Sequence, residues 1–179
     1  MIKRMLFACA AVGLIGFALP ARTAAQTIYV SGGATFPTGD YGDYAKTGWM
    51  GAAGMLFPVG GMGLALGAEG FYGQNNHSDV DGDKTSLYGG LGIVEYEFRA
   101  GGSVIPYVFG GLGLMVHKYS SDEFPELEDS DSKFAYQFGG GVGFGLSENV
   151  LLYGEGRYMG REGTQFFGLF GGLAFGLGN

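Results

Sequence analysis

Residues 86–98, with the sequence SLYGGLGIVEYEF, alternate between two kinds of side chain. From Tyr88 onward the even positions are aromatic, aliphatic or glycine, whereas the odd positions lead to Glu95, Glu97 and, just beyond the stretch, Arg99. Successive side chains of a β-strand point to opposite faces, so a period of two predicts a strand with one apolar face. This stretch therefore indicates a β-sheet protein.

The same pattern, about ten alternating residues followed by a break, recurs along the chain. Short breaks fall at 58–60, 100–103 and 147–149, and long polar breaks at 37–46, 73–84, 119–132 and 159–164. The eight strands predicted between them are 27–36, 47–57, 61–72, 86–98, 104–118, 133–146, 150–158 and 165–177. An even number of strands joined alternately by short turns and longer loops is typical of bacterial outer-membrane barrels.

The apolar face of these strands is predicted to face lipid. The opposite face is expected to be mostly glycine, alanine and a few ions, too small and polar to form a core. A soluble barrel would place the rows of large aromatic residues in water, as an exposed patch that favours aggregation. We therefore expect an all-β fold, a closed eight-stranded antiparallel up-and-down barrel, because an open sheet edge would leave backbone groups unpaired in lipid. Glycine on the inner face of so narrow a barrel would make room for larger groups opposite.

The rival interpretation is a helical membrane protein, because residues 50–68 contain no charge. That segment holds Pro58 and six glycines, and each glycine costs about 0.8–1 kcal/mol in a helix relative to alanine. As a hairpin, the same residues form two strands around the turn at 58–60, which accounts for the turn-forming residues. The strand interpretation is therefore favoured.

Residues 1–25 are predicted to be a cleavable signal peptide. Lys3 and Arg4 precede an uncharged apolar run at 5–19, and small residues follow at 23–25. The run is shorter than the ~20 residues of a membrane-spanning helix, which argues against an anchor. Cys9, the only cysteine, lies too early in the run for a lipoprotein signal, so the mature domain is expected to lack thiols and disulfides.

The charge balance argues against a nucleic-acid partner. Charged residues make up 15% of the chain and its formal net charge is −7, with no basic run to neutralise phosphates. Without residues 1–25, seven basic residues remain against 17 acidic ones, a net charge of −10. The 38 glycines do not indicate disorder, because the chain also carries 15 Phe and 11 Tyr.

Three motifs carry a family resemblance: YVSGG at 29–33, TGW at 47–49 and the final FGGLAFGL at 170–177. Through them residues 26–179 resemble the bacterial outer-membrane β-barrel domain family of small OmpA/OmpX-like barrels. The resemblance implies a Gram-negative outer-membrane location, with outer-membrane lipid and lipopolysaccharide as surroundings.

The resemblance also implies insertion by the barrel-assembly machinery. The signal that this machinery reads corresponds here to Gly172, Phe175 and Leu177. Two departures from the family pattern are that Phe170 stands at a position that is commonly polar, and that residues 178–179 extend beyond the usual aromatic terminus.

The polar face of the strands is predicted to carry an ion network inside the lumen. The alternation of positions along the strands assigns to this face Glu69, Glu95, Glu97, Arg99, Glu155 and Arg157, together with His117. Glu95 and Glu97 are expected near Arg99, and the two remaining glutamates near Arg157, because an isolated buried charge is very costly. The network is interpreted as structural, and a gate or ion path made from the same pairs is the alternative.

The second long loop, HSDVDGD at 77–83, alternates Asp79, Asp81 and Asp83 with a glycine, as calcium-binding loops do. It is not an EF-hand, because no Glu follows at the twelfth position. We expect no cofactor, with these three aspartates as a weak candidate for a divalent metal and a solvated acidic loop as the alternative. The third long loop adds six carboxylates between 122 and 131, which could hold cations that bridge to lipopolysaccharide, or bind a basic partner.

A catalytic site is not predicted. A nucleophilic hydrolase needs Ser or Thr within reach of a His that a carboxylate orients. His77 adjoins Ser78, and His117 is three residues from Ser120, so neither pair shares a strand face. A membrane-embedded hydrolase acting on lipid is therefore the least favoured function.

Seven outward aromatic residues are predicted to anchor the barrel at the two membrane interfaces. They are Trp49, Tyr72, Tyr88, Tyr96, Phe98, Tyr136 and Tyr158. The sequence thus predicts a monomeric, non-enzymatic, integral outer-membrane barrel that supports the envelope or binds through its acidic extracellular loops. The alternative is a small porin-like ion or solute channel gated by the lumen Glu/Arg pairs.

Overall fold

The computed structural model describes residues 26–77, 84–98, 103–120 and 129–177, and the predicted signal peptide lies outside them. Its strands are β1 (Gln26–Thr38), β2 (Gly48–Val59), β3 (Leu64–Asn76), β4 (Lys84–Glu97), β5 (Val104–Ser120), β6 (Asp129–Ser147), β7 (Val150–Arg161) and β8 (Thr164–Leu177). A short helix, α1 (Asp40–Tyr44), lies between β1 and β2. Each strand pairs antiparallel with the next, and β8 pairs with β1. The predicted closed, eight-stranded up-and-down barrel is confirmed.

Within the described ranges, no helix is both long enough and apolar enough to span a membrane.

Side chains alternate between the outside and the lumen along each strand, as predicted. On β8, Phe167 and Leu169 are exposed, whereas Phe166 and Phe170 are buried. The exposed rows continue around the barrel and consist of large apolar residues. The outer surface is therefore an apolar belt suited to lipid.

The inner face differs from the prediction that it is mostly glycine, alanine and ions. It carries large buried side chains: Tyr29, Met50, Leu56, Phe71, Leu87, Leu91, Ile93, Tyr107, Phe109, Met115, Tyr153, Met159, Phe166 and Phe170. All strands except β6 contribute to this set, and the inner positions of β6 are instead small or polar, as at Ala135, Gln137 and Gly139. The glycine-rich inner face of β6 is therefore the exception, because large residues on the other strands fill the space that it leaves.

Inner-face glycines make room for rings on neighbouring strands, in agreement with the sequence-based expectation. Tyr29 lies opposite Gly54, and a Cβ on that glycine would stand 2.5 Å from the tyrosine ring. Tyr107 lies opposite Gly141, whose added Cβ would stand 2.6 Å from the phenol oxygen. Real Cβ contacts essentially never fall below 3.0 Å, so each ring requires glycine at the facing position.

Several connections are displaced or shortened relative to the predicted breaks, and two of them differ most. The β2–β3 turn contains Gly60, Gly61 and Gly63 with φ of 67°, 70° and 84°, so Pro58 belongs to β2 and the turn follows it. Glycine accepts these left-handed values without steric cost, which places the turn there. The predicted long loop at 159–164 is a tight turn, because β7 continues to Arg161 and β8 begins at Thr164.

Candidate functional site

The centre of the lumen holds a buried ion cluster around Arg157. Its Nη1 donates to Glu69 Oε1 at 2.8 Å, and its Nε donates to Glu155 Oε1 at 3.0 Å. Nη2 pairs with the same oxygen of Glu155. Gln137 Nε2 donates to Glu69 Oε1 at 3.1 Å. The structure thus brings three of the predicted network residues together from β3 and β7, with Arg157 only 2% exposed.

Two tyrosines complete the hydrogen bonding of these carboxylates. Tyr29 donates to Glu69 Oε2 at 3.1 Å, and Tyr107 donates to Glu155 Oε2 at 2.8 Å. A buried ion pair is tolerated only when its remaining acceptors are satisfied, and these hydroxyls do so. Sequence reasoning missed both tyrosines, although each stands on the inner parity of its strand.

Aromatic rings enclose the guanidinium group. The Arg157 Cζ atom lies 4.4 Å from the centroid of the Phe170 ring and 5.4 Å from that of Phe109. Such cation–π contacts are strongest where water is excluded. The aromatic residue at position 170, unusual for the family signal, therefore has a role in the lumen.

A cavity of about 380 Å³ lies between this cluster and the short-turn end of the barrel. It reaches Gly61 and Gly63 of the β2–β3 turn and the turn before β7. Glu95 faces the cavity and is partly buried, whereas Glu97 is exposed at its rim. Arg99 lies outside the described residues, so its pairing with these glutamates stays a prediction.

The long-loop half of the lumen is filled mainly with apolar side chains, and the polar side chains of Thr35, Asn75 and Thr85 are buried there as well. The largest fully buried apolar ones are Met50, Leu87, Met115, Met159 and Phe166. Each is at most 1% exposed, so solvent does not reach them. Beyond them the helix α1 places Tyr41, itself 1% exposed, over the end of the barrel.

The segment after β1 is held on the rim by backbone and side-chain hydrogen bonds. The Lys46 N–H donates to the Asn76 carbonyl at 2.7 Å, and Asn75 Nδ2 donates to the Lys46 carbonyl at 2.8 Å. Asn75 also donates to Thr35 Oγ1 at 3.1 Å. Burial raises the pKa of the Tyr41 phenol and, to a smaller extent, that of Tyr44. The helix is therefore a docked part of the barrel.

The two histidines lie among aromatic rings at this rim. His77 Nε2 is 2.7 Å from Thr85 Oγ1, and its ring is 5.5 Å from that of Tyr44. His117 is edge-on to Tyr41 at 6.2 Å. Thr85 is fully buried, so its hydroxyl is not accessible to a substrate despite its contact with a histidine.

The candidate metal residues Asp79, Asp81 and Asp83 lie outside the described residues. Within the described ranges, no group of three or more His, Cys, Asp or Glu side chains could hold a metal ion. Asp131, assigned from the sequence to the third long loop, instead belongs to β6. The strand begins earlier than its apolar residues indicate. On this first part of the strand the Asp131 Oδ2 atom lies 3.5 Å from both Lys133 Nζ and Arg161 Nη2.

Six of the predicted anchor residues lie at outward-facing positions of their strands, and Phe98, one residue beyond the end of β4, is exposed as well. Trp49, Tyr72 and Tyr88 form a row near the long-loop end, with ring centroids 5.8 and 6.5 Å apart along it. Tyr136 and Tyr158 form a second contact near that end at 6.5 Å. The remaining two, at 96 and 98, contact each other near the short-turn end at 5.1 Å. Aromatic residues therefore flank the apolar belt on both sides.

The residues assigned to barrel assembly lie on the closing strand. Phe175 and Leu177 are exposed on the outer face of β8, and Leu177 pairs with Gln26 at the β1–β8 seam. Gly172 faces inward, where an added Cβ would stand 2.5 Å from the Tyr153 ring. Packing alone thus accounts for this glycine.

Several solved outer-membrane barrels have a similar fold. Neisserial surface protein A is 14% identical with a TM-score of 0.65, and the match covers 86% of this chain and 97% of that one. Ail, the attachment invasion locus protein of Yersinia pestis, is 15% identical with a TM-score of 0.58, over 87% and 100% of the two chains. The N-terminal β-barrel domain of Pseudomonas aeruginosa OprF is 17% identical with a TM-score of 0.52, over 87% and 100%.

No curated protein matches the sequence significantly. The family model described as "Outer membrane protein beta-barrel domain" matches residues 7–176, which is most of the chain. Together with the closed barrel and its apolar belt, this match assigns the location as well as the fold. The chain belongs to the outer membrane protein beta-barrel domain family and resides in the bacterial outer membrane.

Proposed function

We propose that the protein is a non-enzymatic, non-conducting barrel that acts at the cell surface through its acidic loops. The observation that carries this proposal is the filled long-loop half of the lumen. An eight-stranded barrel has an interior just wide enough for side chains. Here methionine, leucine and phenylalanine side chains occupy it, with Tyr41 above them. An ion would have to displace these closely packed apolar groups, since the buried polar side chains Thr35, Asn75 and Thr85 of this half are already hydrogen-bonded to one another or to His77.

The surface role rests on where the acidic residues lie in the sequence. In outer-membrane barrels the longer loops face outward. The long connections at 77–83 and 121–128 hold Asp79, Asp81, Asp83, Asp122, Glu123, Glu126 and Glu128. One structure of the neighbour Ail contains the heparin analogue sucrose octasulfate, an anion. Acidic loops favour the opposite partner, a cationic surface or one bridged by divalent cations.

Planar-bilayer recording of the purified mature protein tests the closed lumen. We expect no conductance steps from the wild type or from Arg157→Met, since the apolar filling remains in both. The double variant Met115→Ala, Met159→Ala removes part of the filling and serves as the comparison. Conductance in the wild type that changes with Arg157→Met would support the channel interpretation instead.

Surface plasmon resonance of the barrel in nanodiscs tests the loop function. The ligands are poly-L-lysine and heparin. The loop variant carries Asp122→Asn, Glu123→Gln, Glu126→Gln and Glu128→Gln, and Glu148→Gln at the short-turn end is the matched control. We expect poly-L-lysine to bind the wild type and the control, the loop variant to lose most binding, and heparin not to bind. Equal binding of poly-L-lysine by all three would contradict the proposal.

A further inference from the structure

The cavity at the short-turn end of the lumen has no part in a function exerted at the opposite end. Its volume of about 380 Å³ falls within the range of protein ligand pockets, about 300–1,000 Å³. Apolar side chains and phenol rings contribute to its wall, among them Leu56, Ile93, Ile105, Tyr29, Tyr107 and Tyr153. In outer-membrane barrels the short turns face the periplasm, so this pocket is open to periplasmic solutes.

The charge of the cavity wall is unbalanced among the described lining residues. Arg157 is the positive group, and it is already bonded to both Glu69 and Glu155, so this cluster carries one excess negative charge. Glu95 adds a second carboxylate, partly buried in the same wall, and no ion pair involves it within the described part of the chain. Glu97 and Glu148 add exposed carboxylates at the rim.

We propose that this cavity binds a small organic ammonium ion with an apolar body, entering from the periplasm. The ammonium group would stand beside Glu95, where a partly desolvated carboxylate gains most from a counter-ion. The apolar body would lie against Ile93 and the phenol rings, which attract a cation through their faces as well as burying apolar surface. A fatty acid or another anion fits poorly, because it would face the excess of carboxylates.

Isoleucine methyl NMR of the folded protein in nanodiscs tests this proposal. Only three isoleucines follow residue 25, namely Ile28, Ile93 and Ile105. Two of them line the cavity, whereas Ile28 is 39% exposed on the outer face and reports on the lipid. The probe is phenethylammonium chloride, and 2-phenylethanol, of nearly the same shape but uncharged, is the control ligand. We expect saturable shifts of Ile93 and Ile105 with phenethylammonium, and an unchanged Ile28.

Two variants distinguish the contribution of the carboxylate charge to binding from that of the cavity volume. Glu95→Gln keeps the size of the side chain, and we expect it to weaken phenethylammonium binding about tenfold, as loss of a charged hydrogen-bond partner does. Ala174→Phe narrows the cavity from β8 and is expected to abolish the shifts. Glu162→Gln, at the long-loop end, is the control that leaves binding unchanged. Heat-dependent electrophoretic mobility verifies that each variant is folded.

Three results would overturn the proposal. Equal shifts with 2-phenylethanol, or with Glu95→Gln, would mean that the cavity takes apolar molecules without regard to charge. Shifts confined to Ile28 would mean that the probe enters lipid only. Unshifted Ile93 and Ile105 in a folded wild type would mean that the carboxylates are already neutralised, with Arg99 as the nearest basic residue in sequence to do so.

Discussion

The two halves of the lumen differ, although the same eight strands build both. The short-turn half contains a cavity that ends at the central cluster of Arg157 and its glutamates, whereas the long-loop half is filled mainly with apolar side chains and covered by Tyr41. Strand pairing therefore closes the barrel without deciding what its interior does. The residues at the inward-facing positions determine the properties of the interior. They produce a polar compartment towards one side of the membrane and a sealed one towards the other.

The largest expected loss of stability comes from Arg157→Met, at the cluster that borders the polar half. This change leaves Glu69 and Glu155 buried with no cation between them, which costs about 3–5 kcal/mol. Urea unfolding of the barrel in lipid vesicles measures it, and Trp49, the only tryptophan, reports by fluorescence as its surroundings change on unfolding.

The matched control for that prediction removes all three charges together. The triple variant Glu69→Gln, Glu155→Gln, Arg157→Met leaves no buried ion uncompensated, so much of the lost stability should return. Exposed ion pairs contribute less than about 1 kcal/mol. If the single variant costs no more than that, water screens the charges of the cluster, and the contrast between the two halves weakens.

In the apolar half, Met159→Ala should lower the free energy of unfolding by about 2–5 kcal/mol, because it leaves a cavity among fully buried neighbours. The same vesicle assay measures the loss. Met55→Ala is the matched control, since that side chain is 43% exposed on the outer face and its removal leaves no internal cavity. Equal losses at the two sites would show that the long-loop half is not tightly packed.

Gly141→Ala tests the ring-against-glycine packing that borders the cavity. The added Cβ would stand 2.6 Å from the Tyr107 phenol oxygen and 2.5 Å from the Gly154 carbonyl oxygen. Overpacking of this kind costs about 1–3 kcal/mol. Gly145→Ala, on the same strand, meets nothing within 4 Å and should leave the midpoint of urea unfolding unchanged. A neutral Gly141→Ala would mean that the tyrosine ring shifts freely.

The smallest effect is expected at the outer rim of the apolar half. Glu162 lies 3.3 Å from Lys133 Nζ, but the Glu162 side chain is 82% exposed. Glu162→Gln should therefore lower stability by less than about 1 kcal/mol, and this difference should vanish in high salt. A larger loss of stability that does not depend on salt would show that this pair is shielded from solvent, as the buried Arg157 cluster is.

The sequence predicts the barrel well because lipid imposes one simple rule on every strand. Alternation identified the outward rows, from Val94 on β4 to Leu169 on β8, and these are exposed as expected. Alternation assigns a face but not a volume, so it could not show that most inner positions hold large side chains. It also could not distinguish a polar connection from a strand that continues, as at Arg161 and Asp131.

The central cluster was only partly accessible to sequence reasoning. Parity and the cost of isolated charge place Glu69 and Glu155 near Arg157, although Glu69 is 88 residues from the arginine. The hydroxyls of Tyr29 and Tyr107 depend on the register between strands and on the width of the barrel, which no single strand reveals. The candidate metal loop, whose three aspartates lie outside the described residues, stays a prediction.

The tyrosine–glycine pairs have a consequence for how this barrel can change over evolutionary time. Tyr29 with Gly54 and Tyr153 with Gly172 each join adjacent strands, so neither member is free to vary alone. A larger residue at the glycine becomes acceptable only after the ring has been reduced, and a lost ring leaves a gap that a new side chain on the neighbouring strand can fill. Substitutions inside the lumen should therefore arise in coupled steps across hairpins, while the lipid-facing rows exchange one apolar residue for another independently.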